Sequence, residues 1–467
     1  MSATSVNSEV VQTISPTTGQ VIDLYKVDTE GVIREKIEAA QTAFLEWSQG
    51  EPIARTKPLL NVANLLEKNK QAYAELMARE MGKTMKEGIA EIEKCSLLCR
   101  YYIQNAPKLL RDETTEFSNG KSYVSYQPLG AILAVMPWNF PFWQVFRFAA
   151  PNLVAGNVCV LKHASNVPRC ALAIQAIFLE SGFPIGTFTT TVAHSDQVAF
   201  MIEHSVIQGV TLTGSTPAGR KVAAQAGQVL KKTVLELGGS DPYIILEDAD
   251  LDLAAEVCVT ARLMNTGQSC IAAKRFIVVN DVHDDFVERI SERMQQIVLG
   301  DPLDDATGMG PMARHDLRND LHAQVEKSVQ AGAKCLLGGS IPTDAPLKDG
   351  AYYPPTILTN VKPGMPAYEE ELFGPVAAVI RSSNEADAIR IANDTEFGLG
   401  AAVFTSNVER GERIARDQLQ AGSCAVNRQV ASDARLPFGG IKSSGYGREL
   451  AKQGLHAFLN VKTIEVS

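Results

Sequence analysis

Ala131-Ile132-Leu133-Ala134-Val135-Met136 follows a Pro128-Leu129-Gly130 turn without a polar interruption. An unbroken apolar run of this length predicts a parallel strand buried on both faces, because a strand with one wet face would alternate. The chain beyond it repeats the unit. A helix is expected over 142–155, a strand over 157–162, a helix over 168–179 that stops at Gly182, and a strand over 188–192. Helix 196–203, strand 209–213 and helix 217–226 follow. Such alternation implies an α/β fold with a doubly wound parallel sheet and a ligand beyond the carboxyl ends of its strands.

A second α/β series begins after Gly238-Gly239, a plausible hinge. Its strand candidates are 243–246, 276–279, 335–337 and 401–404, and its helix candidates 251–264, 284–298, 317–331 and 385–393. Upstream, residues 31–110 read as helices: Ile33, Ile37, Ala40, Phe44 and Trp47 keep a helical period, as do Leu59, Val62, Leu65 and Leu66. Segments 122–127 and 458–466 alternate, and the second could pair with the first or with another subunit.

At 467 residues the chain is about three times the usual domain length, enough for two or three domains. Hydrophobic residues at 45% and charged residues at 21% fit a soluble globular protein. A net charge of −9 without a basic block argues against nucleic acid or an anionic membrane and favours a small-molecule ligand. The eight cysteines are dispersed, as expected for a reduced, cytosolic chain, and Cys95 and Cys99 read as helix-packing thiols. Seven scattered histidines and no Cys-x-x-Cys give no credible metal site. Residues 1–10 lack the basic and apolar regions of a secretory signal, and no segment approaches the ~20 apolar residues of a membrane span.

Several stretches could carry chemistry. In Pro137-Trp138-Asn139-Phe140-Pro141 two prolines stiffen the backbone around Asn139, which is either a fixed amide donor for a developing oxyanion or an ordinary turn asparagine. Lys162-His163-Ala164-Ser165 ends a strand, where a lysine could meet a nucleotide or simply be solvated. Gly214-Ser215-Thr216-Pro217-Ala218-Gly219 would let a backbone approach a diphosphate, with Ser215 or Thr216 capping the helix and Pro217 in its first turn. It is not the G-x-G-x-x-G fingerprint. Glu236 closes an apolar run in Leu235-Glu236-Leu237-Gly238-Gly239-Ser240-Asp241-Pro242. Cys270 closes the polar loop Asn265-Thr266-Gly267-Gln268-Ser269 and precedes Ile271-Ala272-Ala273. A cysteine is more often a core residue than a nucleophile. Cys270 stands apart because its loop gives a substrate room, and Glu236 is a carboxylate able to serve it as a base.

The motifs Pro-Trp-Asn-Phe-Pro at 137–141, Leu-Glu-Leu-Gly-Gly at 235–239 and Asn-Thr-Gly-Gln-Ser-Cys at 265–270 resemble the aldehyde dehydrogenase superfamily. Glu-Leu-Phe-Gly-Pro-Val at 371–376 and Pro-Phe-Gly-Gly-Ile-Lys at 437–442 extend the match over nearly the whole chain. Within that superfamily the runs at 138–147 and 235–242 are most similar to bacterial succinate-semialdehyde dehydrogenases. The resemblance implies a Rossmann-like cofactor domain over 1–109 and 129–238, a second α/β catalytic domain over 239–443, and a small β oligomerisation arm from the bridging segments 110–128 and 444–467. A homodimer or homotetramer in the cytoplasm is expected.

By the same resemblance Cys270 is the nucleophile, Asn139 and the Cys270 N–H hold the oxyanion, and Glu236 activates the water that releases the thioester. Trp138, Asn139, Lys162, Ser165, Gly214, Ser215, Leu237, Glu371 and Phe373 would bind the cofactor. Lys162 and Glu371 would meet ribose hydroxyls, Gly214 and Ser215 the diphosphate, and Phe373 the nicotinamide. Glu449 matches either a proton relay or a salt bridge. Many NAD-preferring relatives carry a glutamate where this chain has Ser165, so NADP is expected to be preferred and NAD accepted. Trp143, Arg147 and Ser269 would shape the substrate funnel, with Arg147 binding a substrate carboxylate. Some relatives place a second arginine where this chain has Met264, and Arg262, Arg428 or Arg435 could substitute. The leading expectation is oxidation of succinate semialdehyde. The alternatives are another small aliphatic, aromatic or dicarboxylic semialdehyde such as glutarate semialdehyde, a CoA-acylating relative, disfavoured by Glu236, and a catalytically silent relative, disfavoured by intact Cys270, Glu236 and Asn139.

Overall fold

A computed structural model describes residues 9–117 and 120–466. Residues 1–8, most of the segment read as lacking a secretory signal, lie outside them. Among the described residues no helix is long and apolar enough to cross a membrane.

The run that opened the sequence analysis is the strand Ala131–Met136, inside a six-stranded sheet. Its parallel neighbours are Val158–His163 on one side and Ile207–Thr213 on the other. Helix Trp143–Ala155, every residue of which is buried, packs on one face of the sheet, and Glu30–Trp47 contacts the same strands. With both faces covered, the strand has no reason to alternate. Phe188–Thr191 lies beyond Val158–His163, and Lys232–Glu236 beyond Ile207–Thr213. The chain therefore winds one way from Ala131–Met136 and returns to wind the other way, which opens a crevice between the carboxyl ends at Met136 and Thr213. The short strand Gly445–Tyr446 closes that edge, antiparallel to Lys232–Glu236, so part of segment 444–467 is built into the first sheet.

The second sheet has seven strands in the order Lys334–Leu337, Thr356–Thr359, Val376–Ser382, Ala273–Val279, Asp241–Ile245, Gly400–Phe404 and Ser423–Val426. All its pairings are parallel except that of Lys334–Leu337 with Thr356–Thr359. The sequence reading located four of these strands and missed Thr356–Thr359, Val376–Ser382 and Ser423–Val426. Val376–Ser382 follows directly on Phe373-Gly374-Pro375, with no apolar lead-in to mark its start.

Leu459–Val466 pairs antiparallel with Gly120–Pro128 in the same chain, from Leu459 opposite Pro128 to Val466 opposite Lys121, which decides between the two pairings expected for it. Glu113–Phe117 completes this three-stranded sheet. The expected helical entry layer is three helices, Glu30–Trp47, Pro52–Met81 and Met85–Leu109, and a hairpin of Val10–Ile14 with Val21–Lys26 precedes it. Met85–Leu109 packs closely against Trp143–Ala155. Residues of the first of these two helices thereby reach the wall of the site.

Candidate active site

Asn139 sits just past the strand end at Met136, and its surroundings hold it in place. Its Nδ2 donates to Gln268 O at 3.0 Å, and its Oδ1 accepts from Gln144 Nε2 at 3.0 Å. Its backbone carbonyl accepts from Lys83 Nζ at 2.9 Å and from Asn265 Nδ2 at 2.7 Å. Lys83 is itself in a buried ion pair with Glu91, whose other oxygen accepts the N–H groups of Phe142 and Trp143 at 2.9 Å each. One Nδ2 proton is engaged on Gln268, leaving the second to aim elsewhere.

The loop before Cys270 is forced into shape. Asn265, Thr266 and Gly267 have φ of 53°, 56° and 71°, and left-handed backbone is unfavourable for the first two. A Cβ at Gly267 would run into the backbone of Gly374, so the nucleophile loop and the Glu-Leu-Phe-Gly-Pro loop pack backbone to backbone. Lys274 anchors the far side, donating to Ser269 O at 2.9 Å and Cys270 O at 2.8 Å and pairing with Glu371 at 3.3 Å. Burial pushes the Cys270 thiol up to about 12, against the pull of Arg147 and Lys274.

Glu236 ends its strand opposite Thr213, and its carbonyl accepts from Gly214 N–H at 3.0 Å. Its carboxylate is buried with neither oxygen hydrogen-bonded among the described residues. A Cβ on Gly439 would stand 2.5 Å from Oε1, so the 437–442 motif supplies the close wall. Burial holds the Glu236 carboxyl well above the usual range, Arg147 opposes this, and Glu449 adds to it. Arg147 forms a buried ion pair with Glu449, donates to Thr213 Oγ1 at 3.4 Å and stacks on Phe438 at 4.8 Å. Of the two roles open for Glu449, this geometry is the salt bridge. It also means that Arg147 is not an unengaged clamp.

Two cavities meet at Cys270. One, of about 260 Å³, is lined by Trp138, Asn139, Glu236, Leu237 and Cys270 together with Gly214, Ser215, Glu371 and Phe373. Phe373 stands edge-on to Trp138, with ring centroids 5.9 Å apart. Glu371 accepts from Gly239 N–H at 3.0 Å, and a Cβ at Gly238 would collide with its carboxylate. Ser215 occupies the cap position of helix Thr216–Gln228 but makes no side-chain cap bond, and Thr216 Oγ1 donates instead to Ser443 O at 3.2 Å. The expected side-chain cap is therefore absent, and the Thr216 hydroxyl is engaged by the Ser443 carbonyl. A helix start without a side-chain cap is where an anionic group can be received. Lys162 and Ser165 lie outside this cavity: Lys162 is at the buried end of the neighbouring strand, opposite Val135, and Ser165 is exposed just beyond it.

The second cavity, of about 300 Å³, is lined by Trp143, Arg147, Ser269 and Cys270, with Met264 at the position where a second arginine was looked for. The three substitutes proposed for that arginine are not in its wall. Arg262 is fully buried and turned the other way, donating to Gly267 O at 2.5 Å, Arg435 pairs on the surface with Asp433, and Arg428 is exposed. The sequence reading missed Lys94, Gln144, Ser432 and Phe438 here and Lys274 behind Cys270. Gln144 sits within the quoted 138–147 run and could have been found by its spacing from Asn139. Phe438 lies in the quoted 437–442 motif and Lys274 four residues after Cys270, whereas Lys94 and Ser432 come from distant segments and carry no local signal.

Residues 3–464 match the aldehyde dehydrogenase family. A Synechocystis sp. protein named as a probable succinate-semialdehyde dehydrogenase (NADP+) is 48% identical over 98% of this chain and 100% of its own. An Escherichia coli K12 protein named succinate semialdehyde dehydrogenase (NAD(P)+) is 44% identical over 97% of this chain and 96% of its own. The crystal structure of succinic semialdehyde dehydrogenase from Streptococcus pyogenes in complex with NADP+ superposes with a TM-score of 0.95 at 37% identity, covering 98% of this chain and 99% of that one.

Proposed function

The chain belongs to the aldehyde dehydrogenase family, and we propose that it oxidises succinate semialdehyde to succinate with NADP as the preferred electron acceptor and NAD as a second. The observation that carries this reading is that Cys270 lines both cavities, with Asn139 and Glu236 beside it in the first and a funnel wide enough for a small aldehyde in the second.

In the proposed reaction Glu236 takes the thiol proton and the Cys270 thiolate adds to the aldehyde carbon. The second Nδ2 proton of Asn139 and the Cys270 N–H receive the oxyanion. Bound NADP supplies the two-electron acceptor that turns the thiohemiacetal on Cys270 into a thioester. Glu236, once it has passed the first proton on to solvent, removes a proton from water, which attacks the thioester carbonyl, and Cys270 departs as thiolate with succinate released. Arg147 tunes this step: its cation opposes the burial that raises the Glu236 carboxyl.

NADP would be held by the first cavity and reach beyond it, with Gly214, Ser215 and the helix start behind them at the diphosphate, Glu371 at one ribose, Trp138, Leu237 and Phe373 around the nicotinamide, and Lys162, outside the cavity, at the other ribose. A hydroxyl at Ser165 next to Lys162 leaves both space and positive charge for a 2′-phosphate. The eight free cysteines support a cytoplasmic enzyme, and the exposed outer strand Leu459–Val466 supports assembly into a homodimer or homotetramer. The test is a kcat/KM panel of succinate semialdehyde, glutarate semialdehyde, butanal and benzaldehyde with both cofactors. The expected maximum is succinate semialdehyde with NADP, and a maximum at an uncharged aldehyde would refute the assignment.

A further inference from the structure

The wall of the second cavity carries four charged groups whose partners can be traced: Glu87, Glu91, Arg147 and Lys94. Glu91 is neutralised by Lys83 and two backbone N–H groups. Glu87 accepts from Asn265 N–H at 2.6 Å and from Thr84 Oγ1 at 2.9 Å. Arg147 has Glu449. Lys94, from helix Met85–Leu109, is different. Its Nζ donates to Ser432 Oγ at 2.8 Å and lies over the Trp143 ring at 4.2 Å, and no carboxylate among the described residues comes within ion-pairing distance of it. Asp433, the acid next to its partner serine, is taken by Arg435 at 2.7 Å.

We propose that Lys94, with the hydroxyl of Ser432, binds the carboxylate at the far end of the substrate and is the residue that makes this funnel select a semialdehyde acid over an uncharged aldehyde. An ammonium has three N–H donors. One is used on Ser432 and one faces the indole, so one remains for an incoming oxygen. Because Ser432 accepts from Lys94, its own proton is available for the second oxygen. Trp143 supplies the flat apolar wall beneath the lysine stem, along which a short methylene chain can lie between this anchor and Cys270. The same cation is held in a poorly hydrated place: burial, with Arg147 nearby, pushes the Lys94 pKa down to about 8. A bound carboxylate would supply the ion-pair partner that Lys94 lacks.

This inference rests on the semialdehyde reading above, and its test separates the two. Wild type, Lys94→Met, Lys94→Arg and Ser432→Ala are assayed with NADP on succinate semialdehyde and on butanal, which has the same carbon count and no carboxylate. Wild type is expected to favour succinate semialdehyde. Lys94→Met, which keeps the stem, is expected to lower the ratio of the two kcat/KM values about ten- to a hundredfold, chiefly through KM. Lys94→Arg should restore most of that ratio, and Ser432→Ala should lower it by a smaller factor. Wild-type discrimination retained in Lys94→Met, or equal losses on both aldehydes, would overturn the role of Lys94 alone. A wild type that does not favour the carboxylate would overturn the semialdehyde reading and Lys94 with it. A variant that loses NADP binding or its unfolding midpoint is replaced as evidence by Ser432→Ala, where an unchanged ratio counts against the pair.

Discussion

Asn139 is fixed on its carbonyl by Lys83 and Asn265 and on its side chain by Gln268 and Gln144, so its amide needs no rearrangement when an oxyanion forms. Asn139→Ala should lower kcat by about a hundred- to a thousandfold, the cost of losing one such donor. A kcat within a factor of a few would contradict the assignment. Burial raises both the Cys270 thiol, to about 12, and the Glu236 carboxyl, while the reaction needs both groups deprotonated. The kcat/KM profile should therefore rise as pH is raised above neutrality, and a flat or falling profile would count against this pair. Ser165→Glu places a carboxylate at the edge of the proposed 2′-phosphate site. It is expected to reverse the NADP/NAD ratio of kcat/KM, and an unchanged ratio would remove the electrostatic argument. At this scale Cys270, Glu236 and Asn139 were legible because each lies in a short motif whose neighbours are themselves informative. Lys94 was not, because a lysine on a helix has the same local sequence whether it faces water or a funnel.

The helix Trp143–Ala155 and the segment carrying Glu449 are joined by the buried Arg147–Glu449 pair. Removing only the cation leaves a carboxylate buried without a partner, so Arg147→Met should destabilise the fold by about 3–5 kcal/mol in denaturant unfolding. It should also depress turnover of uncharged aldehydes, because burial and Glu449 then raise Glu236 with only Arg448 opposing them. Adding Glu449→Gln should recover much of the stability. A double variant no more stable than Arg147→Met would show that the pair is not what joins these elements. Most first-sheet strands and helices were read to within a few residues because their hydrophobic period is long and their ends are marked by Gly or Pro. The short strands Lys232–Glu236, Thr356–Thr359 and Ser423–Val426 have four or five residues each and too little pattern to stand out. Of the two residues expected to cap, Ser215 makes no side-chain cap bond and Thr216 donates to the carbonyl of Ser443, more than two hundred positions away.

Across the whole molecule, the crevice made by the reversal of strand order in the first sheet is closed by loops of the second. The hydrogen bonds of Asn139 with Gln268 and Asn265 bring the two halves to one place, and Gly439, in the 437–442 motif, walls Glu236. The existence of two α/β units was legible from alternation alone. Which loops touch was not, since close backbone approach leaves only a glycine in the sequence and says nothing of its partner. The central claim is that the substrate passes through a bond to Cys270. Its most direct test uses Glu236→Gln, which should slow hydrolysis, mixed with succinate semialdehyde and NADP, quenched, digested and weighed by mass spectrometry. A succinyl group on the peptide carrying Cys270, absent when NADP is left out, is the predicted result. Reduced cofactor formed with no acyl group on Cys270, or with the group on another cysteine, would contradict the account.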